Sequence, residues 1–176
     1  MILGEMKDNI ILYTGNGGGK TAAALGLALR CVGHKKKVVI VQFMKGRDYI
    51  GEYLVKNRLA PEYEIRQFGR EEFVDLKNPS TIDKERALEG FEYAKNAIKK
   101  KPYMLILDEI NLATATGLLV LEEVLEFLES VPKETILVLT GRHAPEKMIA
   151  AADYVVEVKD VKRPEGNISP REGFEY

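Results

Sequence analysis

The chain has 176 residues, of which 45% are hydrophobic and 30% are charged. This length predicts a single domain, residues 1–176, with a substantial core of its own. Its 26 basic residues nearly balance its 27 acidic ones, so the composition lacks the positive charge that is typical of nucleic-acid-binding domains. The one cysteine, Cys31, excludes an intrachain disulfide or zinc knuckle. Because we find neither a signal-peptide core nor a membrane-length apolar run, we expect a cytoplasmic protein without membrane association.

Short β-branched runs alternate with longer segments of helical period, which predicts βαβ units and a mainly parallel sheet of about six strands. In chain order, the predicted strands are residues 9–14, 37–43, 63–68, 103–108, 135–140 and 154–158. The predicted helices are residues 20–32, 81–100, 120–130 and 145–151. Ser80 followed by Asp83 predicts a capping box, and Pro145 suits the first turn of a helix. Residues 45–52, 69–79 and 160–176 are the least regular, and the composition of the last segment favours a frayed terminus.

A glycine-rich segment joins the first strand to the first helix, which is the context that makes a P-loop assignment specific. Its residues are Thr14, Gly15, Asn16, Gly17, Gly18, Gly19, Lys20 and Thr21. Glycines let successive backbone N–H groups point into one concavity, where the helix N-terminus adds partial positive charge. Lys20 supplies a cation for phosphates, and the Thr21 hydroxyl is placed to bind Mg²⁺. The segment predicts an ATP-binding P-loop fold, built as a RecA-like three-layer α/β sandwich.

The loop departs from the general P-loop pattern at Thr14, which stands where the pattern has its first glycine. The loop is therefore effectively one residue short. A triphosphate still fits, but we do not expect the orientation that presents the γ-phosphate to an attacking water.

Two acids stand at the end of the apolar strand at 103–108: Asp108 is its last residue, and Glu109 follows directly. Carboxylates at the carboxyl end of a strand beside a P-loop can hold Mg²⁺, directly or through water. Glu109 has two readings, as a base for water in an ATPase or as a metal- or substrate-positioning group in a transferase. Arg142 follows the strand at 135–140 and should emerge at the same sheet edge, where it is a candidate phosphate or substrate contact.

An ordered series of motifs resembles the P-loop type of ATP:corrinoid adenosyltransferase, from about Asn9 to Tyr176. The series comprises Thr-Gly-Asn-Gly at 14–17, Gly-Lys-Thr at 19–21, Val-Gln-Phe-Met-Lys-Gly at 41–46, Leu-Asp-Glu-Ile-Asn at 107–111, Thr-Gly-Arg at 140–142, Ala-Asp at 152–153, Val-Lys at 161–162 and Gly-Phe-Glu-Tyr at 173–176. The resemblance implies that Co(I) of a corrinoid attacks the 5′ carbon of ATP and that triphosphate leaves, so no catalytic protein nucleophile is expected.

The same resemblance implies roles for individual residues. Residues 14–22 hold the triphosphate, while Thr21, Asp108 and Glu109 hold Mg²⁺. Phe73 and the tail from Val161 onward, including Lys162, lie toward the corrin. A homodimer and a reducing partner such as a flavodoxin are also implied.

This chain differs from the family pattern at several positions. Gly18 and Ala22 stand where the family has lysine and threonine, which removes a cation and a hydroxyl from the phosphate site and predicts weaker ATP binding. Arg163, Pro164 and Glu165 replace the family sequence after Val-Lys in a tail that is one residue shorter.

Three other functions stay open. The first is a RecA-like ATPase coupled to a partner, with Glu109 activating water, although the short loop argues against it. A thymidine-kinase-like enzyme is disfavoured because Cys31 alone cannot build the paired-cysteine zinc site. The third is a non-catalytic carrier of corrinoid or nucleotide, which Gly18, Ala22 and Arg163 would favour.

Overall fold

The structure is a computed structural model that describes residues 8–72, 74–164 and 169–174. Within these residues, six strands form one sheet in the order β3-β2-β4-β5-β1-β6, and every neighbouring pair is parallel. The strands are β1 Ile10–Thr14, β2 Val38–Phe43, β3 Tyr63–Phe68, β4 Met104–Asp108, β5 Ile136–Thr140 and β6 Tyr154–Glu157. The prediction of a parallel α/β sheet with about six strands is confirmed.

The helices cover both faces of this sheet. They are α1 Lys20–Gly33, α2 Gly51–Leu54, α3 Thr81–Ile98, α4 Ile110–Ala115, α5 Leu121–Ser130 and α6 Glu146–Ala151, with a 3₁₀ turn at Val55–Asn57. Alternate residues of each inner strand point to opposite faces. Leu105 and Leu107 join a core cluster with α3 to α6, whereas Met104 and Ile106 join a second cluster under α1. The result is the predicted three-layer sandwich.

The strand order determines where a ligand site can form. The carboxyl ends of all six strands share one edge of the sheet, and open α/β folds bind their ligands at that edge. β5 lies between β1 and β4. Three segments therefore emerge side by side: the loop after β1, the acids at the end of β4 and the Thr-Gly-Arg segment at the end of β5.

The helix ends follow local chemistry. α3 begins with a complete capping box, in which the Asp83 backbone N–H donates to the Ser80 hydroxyl and the Asp83 carboxylate accepts from the Ser80 backbone N–H. This capping box was predicted. Pro145 is the N-cap of α6 and not a residue of its first turn, so that prediction was wrong by one position.

Two short helices were missed, and α3 is shorter than predicted. α2 begins inside segment 45–52, which was expected to be irregular, and α4 follows directly after β4. α3 ends at Ile98, two residues before the predicted end at 100. No helix among the described residues combines the length and the apolar character that crossing a bilayer requires.

β6 is an edge strand, and all four of its residues are exposed. It pairs only with β1, and the side chain of Asp153, just before it, accepts hydrogen bonds from the backbone N–H groups of Asn9 and Ile10 at 2.9 and 2.8 Å. β6 therefore runs beside the P-loop strand and delivers the tail to the carboxyl edge of the sheet.

Candidate nucleotide-binding site

The glycine-rich loop joins β1 to α1 as predicted from sequence. Gly15 has φ 96° and Gly19, the N-cap of α1, has φ 99°. Residues with side chains rarely adopt this left-handed region, which explains glycine at both positions. The turn directs the first N–H groups of α1, which have no intrahelical acceptors, toward the open edge of the sheet. The loop thus has the backbone form of an anion-binding site.

Lys20 lies across the inside of this loop. Its Nζ donates to the carbonyl oxygens of Gly15 at 2.8 Å and Gly17 at 2.7 Å, and only 6% of the residue is exposed. Burial lowers the pKa of Lys20, while the nearby charge of Glu109 opposes that change and that of Arg142 reinforces it. The lysine is therefore held where a phosphate would lie within its reach.

The segment after β6 packs directly on the loop, a contact that sequence reasoning missed. The Gly17 N–H donates to the Val158 carbonyl at 2.9 Å, and the Gly18 N–H donates to the Asp160 carboxylate at 3.0 Å. A Cβ on Gly15 would lie 2.4 Å from the Val158 oxygen, and one on Gly17 would lie 2.8 Å from the Asp160 nitrogen. The path of the tail therefore requires glycine at both positions.

Asp108 is the most completely bonded acid of the site. It is 1% exposed; its Oδ1 accepts from the hydroxyls of Thr21 at 2.8 Å and Thr140 at 2.6 Å. Its Oδ2 accepts from Gln42 Nε2 at 3.0 Å and Lys45 Nζ at 2.6 Å. Burial raises the pKa of Asp108, but the attraction of Lys45 and these hydrogen bonds outweigh burial and hold the pKa below its usual range.

The pKa of Glu109 is shifted in the opposite direction from that of Asp108, because it is raised above its usual range. It has φ 65° as the N-cap of α4, and its Oε2 is buried without a hydrogen-bond partner among the described residues. Burial raises the pKa of Glu109, and the charge of Asp108 raises it further, although Lys45, Lys20 and Arg142 act in the other direction. A buried, unpaired carboxylate oxygen costs free energy unless a ligand satisfies it.

These oxygens fit a magnesium ion that is shared with phosphates. Thr21 Oγ1 contacts Asp108 at 2.8 Å. Glu109, with its unpaired Oε2, follows Asp108 directly and interacts with it electrostatically, and hard oxygen ligands are what Mg²⁺ prefers. No group of three or more His, Cys, Asp or Glu forms a metal cage in the described part of the chain. Mg²⁺ usually takes only one or two carboxylates and completes its shell with water and substrate phosphates, so this donor set suits it.

Sequence reasoning did not assign roles to the polar residues around Asp108. Gln67 Nε2 donates to Gln42 Oε1 at 2.9 Å, and Gln42 Nε2 in turn reaches Glu52 at 3.2 Å as well as Asp108. Gln42 is fully buried in β2, and a glutamine inside an otherwise apolar strand was the signal that could have revealed this network. Lys45 lies two residues beyond β2. Like Gln42, it belongs to the motif at 41–46, from which sequence reasoning drew no role for either residue.

The remaining residues that were predicted to bind ligand differ in their exposure and in their contacts with the P-loop. Arg142 is exposed, lies in the loop after β5 and acts electrostatically on Lys20 and Glu109. Thr14 joins that loop to the P-loop, because its hydroxyl accepts from the Ala144 N–H at 3.4 Å. Asn16, Ala22 and Lys162 are exposed, so they are accessible to a ligand. Phe73 lies outside the described residues.

This geometry defines a P-loop α/β protein, with a glycine-rich strand-to-helix loop and two acids at the carboxyl edge of one parallel sheet. The family model of ATP:corrinoid adenosyltransferase BtuR/CobO/CobP matches residues 6–176. The chain therefore belongs to the ATP:corrinoid adenosyltransferase family, as its sequence motifs predicted.

Individual relatives agree with this assignment. The chain is 36% identical over 173 residues to the corrinoid adenosyltransferase of Escherichia coli strain K12, an alignment that covers 95% of this chain and 85% of that protein. It is also 36% identical to the uncharacterized protein all2391 of Nostoc sp., but it spans only 46% of that protein's length. A solved type III secretion ATPase matches with a TM-score of 0.39 and 12% identity over 91% of this chain and 46% of that one. The family assignment rests on the sequence matches alone.

Proposed function

We propose that this protein transfers the 5′-deoxyadenosyl group of ATP to Co(I) of a corrinoid and releases triphosphate. The observation that carries this proposal is a P-loop-type turn, in which Lys20 donates to two loop carbonyls and Thr21 donates to Asp108. The turn lies in a chain that matches the adenosyltransferase family over residues 6–176. The corrinoid cobalt is the nucleophile, so the protein contributes binding, orientation and charge stabilisation.

The triphosphate binds in the loop of residues 14–22. Its oxygens accept hydrogen bonds from the backbone N–H groups of the loop and of the start of α1. Lys20, which donates to the carbonyl oxygens of Gly15 and Gly17 in this structure, donates to phosphate oxygens instead. A charged acceptor makes a stronger hydrogen bond than a carbonyl, so this exchange favours nucleotide binding. Arg142 adds positive charge at the same edge of the sheet.

Mg²⁺ would be held by the Thr21 hydroxyl and the carboxylates of Asp108 and Glu109. When bound, the ion supplies positive charge that stabilises the triphosphate as a leaving group. The unpaired Glu109 oxygen is the feature of this structure that supports a metal role.

The corrinoid lies beside the tail and the loop that contains Phe73. Val161 and Lys162 are exposed and follow Asp160, which touches the P-loop, so the tail passes close to the bound triphosphate. We place the adenosyl acceptor there. From the family resemblance, the protein is a cytoplasmic homodimer. A reducing protein such as a flavodoxin supplies the electrons that bring the corrinoid to Co(I).

Product analysis tests this function. The protein is incubated with ATP, Mg²⁺ and chemically reduced cobalamin or cobinamide, and cobalt–carbon bond formation is followed spectroscopically. We expect a new cobalt–carbon bond and stoichiometric tripolyphosphate. ADP and phosphate would instead indicate an ATPase in which Glu109 activates water, and unchanged ATP with both corrinoids would indicate a carrier.

A further inference from the structure

Lys45 makes an unusual pair of contacts in the candidate site. Its Nζ lies 2.6 Å from Asp108 Oδ2 and 3.3 Å from Thr21 Oγ1, so one ammonium group contacts both the P-loop hydroxyl and the acid after β4. Asp108 is 1% exposed, and a carboxylate buried to that degree requires a counter-charge. Lys45 supplies that charge in this structure.

The same two oxygens are part of the set that suits Mg²⁺. A magnesium ion binds oxygen at about 2.0–2.1 Å, and it would compete with Nζ for the lone pairs of Asp108 Oδ2 and Thr21 Oγ1. Two cations that share one pair of oxygens also repel each other strongly in a site of low dielectric. The ammonium group and a divalent ion therefore exclude each other from these ligands.

We propose that Lys45 is a built-in cation that holds the metal position of the nucleotide-free enzyme and moves to the triphosphate when Mg²⁺·ATP binds. This inference rests on the proposed ATP-binding function and adds a positioning residue to it. Lysine suits this role because a flexible four-carbon stem carries its compact charge, which can be redirected without moving the backbone.

The surroundings of Lys45 are consistent with such an exchange. When the ammonium leaves, Asp108 keeps the hydrogen bonds from Thr21, Thr140 and Gln42, so its geometry is retained. Lys45 itself is partly exposed at the open edge of the sheet. The charges of Glu109 and Glu52 also act on it there, and phosphate oxygens held by the P-loop would add further acceptors. Asp108 is therefore paired with a cation in both states, with Lys45 in one and with Mg²⁺ in the other.

The first test measures divalent-metal binding without nucleotide. Mn²⁺ binding is followed by electron paramagnetic resonance for the wild type and for Lys45→Met, Lys45→Arg and Lys37→Met. We expect Lys45→Met to bind Mn²⁺ at least tenfold more tightly than the wild type, because the competing charge is gone. Lys45→Arg keeps the charge and should remain at the wild-type level. Lys37→Met is the matched control, since Lys37 is ion-paired with Glu64 at 3.4 Å at the opposite end of the strands.

The second test uses the wild-type protein, so it does not depend on the folding of Lys45→Met. In ¹⁵N-lysine-labelled protein, the Lys45 ammonium resonance is assigned by its absence in Lys45→Arg. It should shift when Mg²⁺·ATP is added and stay unchanged with Mg²⁺ alone at the same concentration. An unchanged resonance at saturating Mg²⁺·ATP, or equal Mn²⁺ affinities of wild type and a folded Lys45→Met, would overturn the inference.

These outcomes are separable from a failure of the proposed function. If calorimetry detects no Mg²⁺·ATP binding to the wild type, the nucleotide assignment fails. If Mg²⁺·ATP binds and a corrinoid is adenosylated while the Lys45 signals stay constant, only the role of Lys45 is wrong.

Discussion

The carboxylate of Asp160 accepts a hydrogen bond from the backbone N–H of Gly18 at 3.0 Å. An acid from the tail thus occupies a donor of the loop that is expected to hold phosphate. Its negative charge also lies close enough to Lys20 to raise that lysine's pKa, against the larger effect of burial. A triphosphate must displace this carboxylate before it can use the Gly18 N–H.

Asp160→Asn should tighten ATP binding several-fold, because the amide keeps an acceptor for Gly18 and removes a charge that repels phosphate. Calorimetric titration with Mg²⁺·ATP measures the effect. Glu157→Gln is the control: it removes the same charge from the neighbouring strand, at a residue that pairs with Lys159 at 2.8 Å. Equal affinities of Asp160→Asn and the wild type would show that the carboxylate does not compete with nucleotide.

Lys20→Ala should abolish detectable ATP binding. Each hydrogen bond between charged groups contributes roughly 1.5–3 kcal/mol, and Lys20 is the side-chain cation that the loop retains where the family has two. Lys147→Ala is the control, because Lys147 is exposed and pairs with Glu122 at 3.5 Å on another helix. Near-normal calorimetric affinity in Lys20→Ala would remove the basis for the phosphate-site assignment.

Gly18→Lys and Ala22→Thr should each tighten ATP binding without changing the reaction product. A Cβ on Gly18 meets nothing within 4 Å, and Ala22 is exposed, so both side chains fit. Each adds one donor near phosphate, worth roughly 1.5–3 kcal/mol when the acceptor is charged. Gly17→Ala is the opposite case, because its Cβ would lie 2.8 Å from the Asp160 nitrogen, and we expect weaker binding. Weaker binding by Gly18→Lys would mean that this loop holds nucleotide differently from its relatives.

Asp83→Asn should destabilise the fold by about 0.5–2 kcal/mol at pH 7, because it removes the charge that strengthens the capping box of α3 and the ion pair with Arg70. Burial raises the pKa of Asp83, but hydrogen bonds from Ser80 and Arg70 outweigh burial and keep it below the ordinary value of 3.8. A carboxyl whose pKa falls on folding stabilises the protein above its unfolded pKa, and that stabilisation is lost as pH falls through the folded pKa.

Urea unfolding of wild type and Asp83→Asn from pH 7 to pH 2.5 checks both parts of this prediction. The difference in unfolding free energy should be constant above about pH 5 and shrink below the unfolded pKa. Asp75→Asn is the control, since Asp75 accepts from the backbone N–H groups of Lys77 and Asn78 in an exposed turn. A difference that does not change with pH would assign the effect to packing.

Phe73→Ala should retain most activity with chemically reduced Co(I) substrate and lose it when a protein donor must reduce Co(II). The expected cause is that an aromatic side chain displaces the lower axial ligand of the corrin and makes Co(I) easier to reach. Leu76→Ala, at a residue that is 43% exposed and three positions further along the chain, is the control. Equal loss in both assays, with a lower melting temperature, would indicate a structural residue.

The sheet and the P-loop could be predicted because their signals are local. Buried parallel strands are short apolar runs, and the edge strand β3, in which apolar and polar residues mostly alternate, begins and ends where the pattern placed it. α4 could not be found in this way: its six residues carry no capping side chain, and it begins at a left-handed Glu109. Local periodicity cannot detect so short a helix.

The contacts of Lys45 and Asp160 were beyond sequence reasoning for another reason. Lys45 meets Asp108 across 63 positions of the chain, and Asp160 meets Gly18 across 142. Such contacts depend on the order of strands in the sheet, which places β2 beside β4 and β6 beside β1. Periodicity and motif spacing predict the elements, but they do not specify this order.

The close packing of the tail on Gly15 and Gly17 has an evolutionary consequence. These glycines are required by the backbone of residues 158–160, in addition to any requirement from phosphate. A lineage in which the chain leaves β6 along another path would be released from glycine at position 17, although Gly15 would still be required by its φ of 96°. A side chain introduced at position 17 would force the tail to move. Substitutions in these two distant segments should therefore be acquired together, and paired replacements across related genomes would record that dependence.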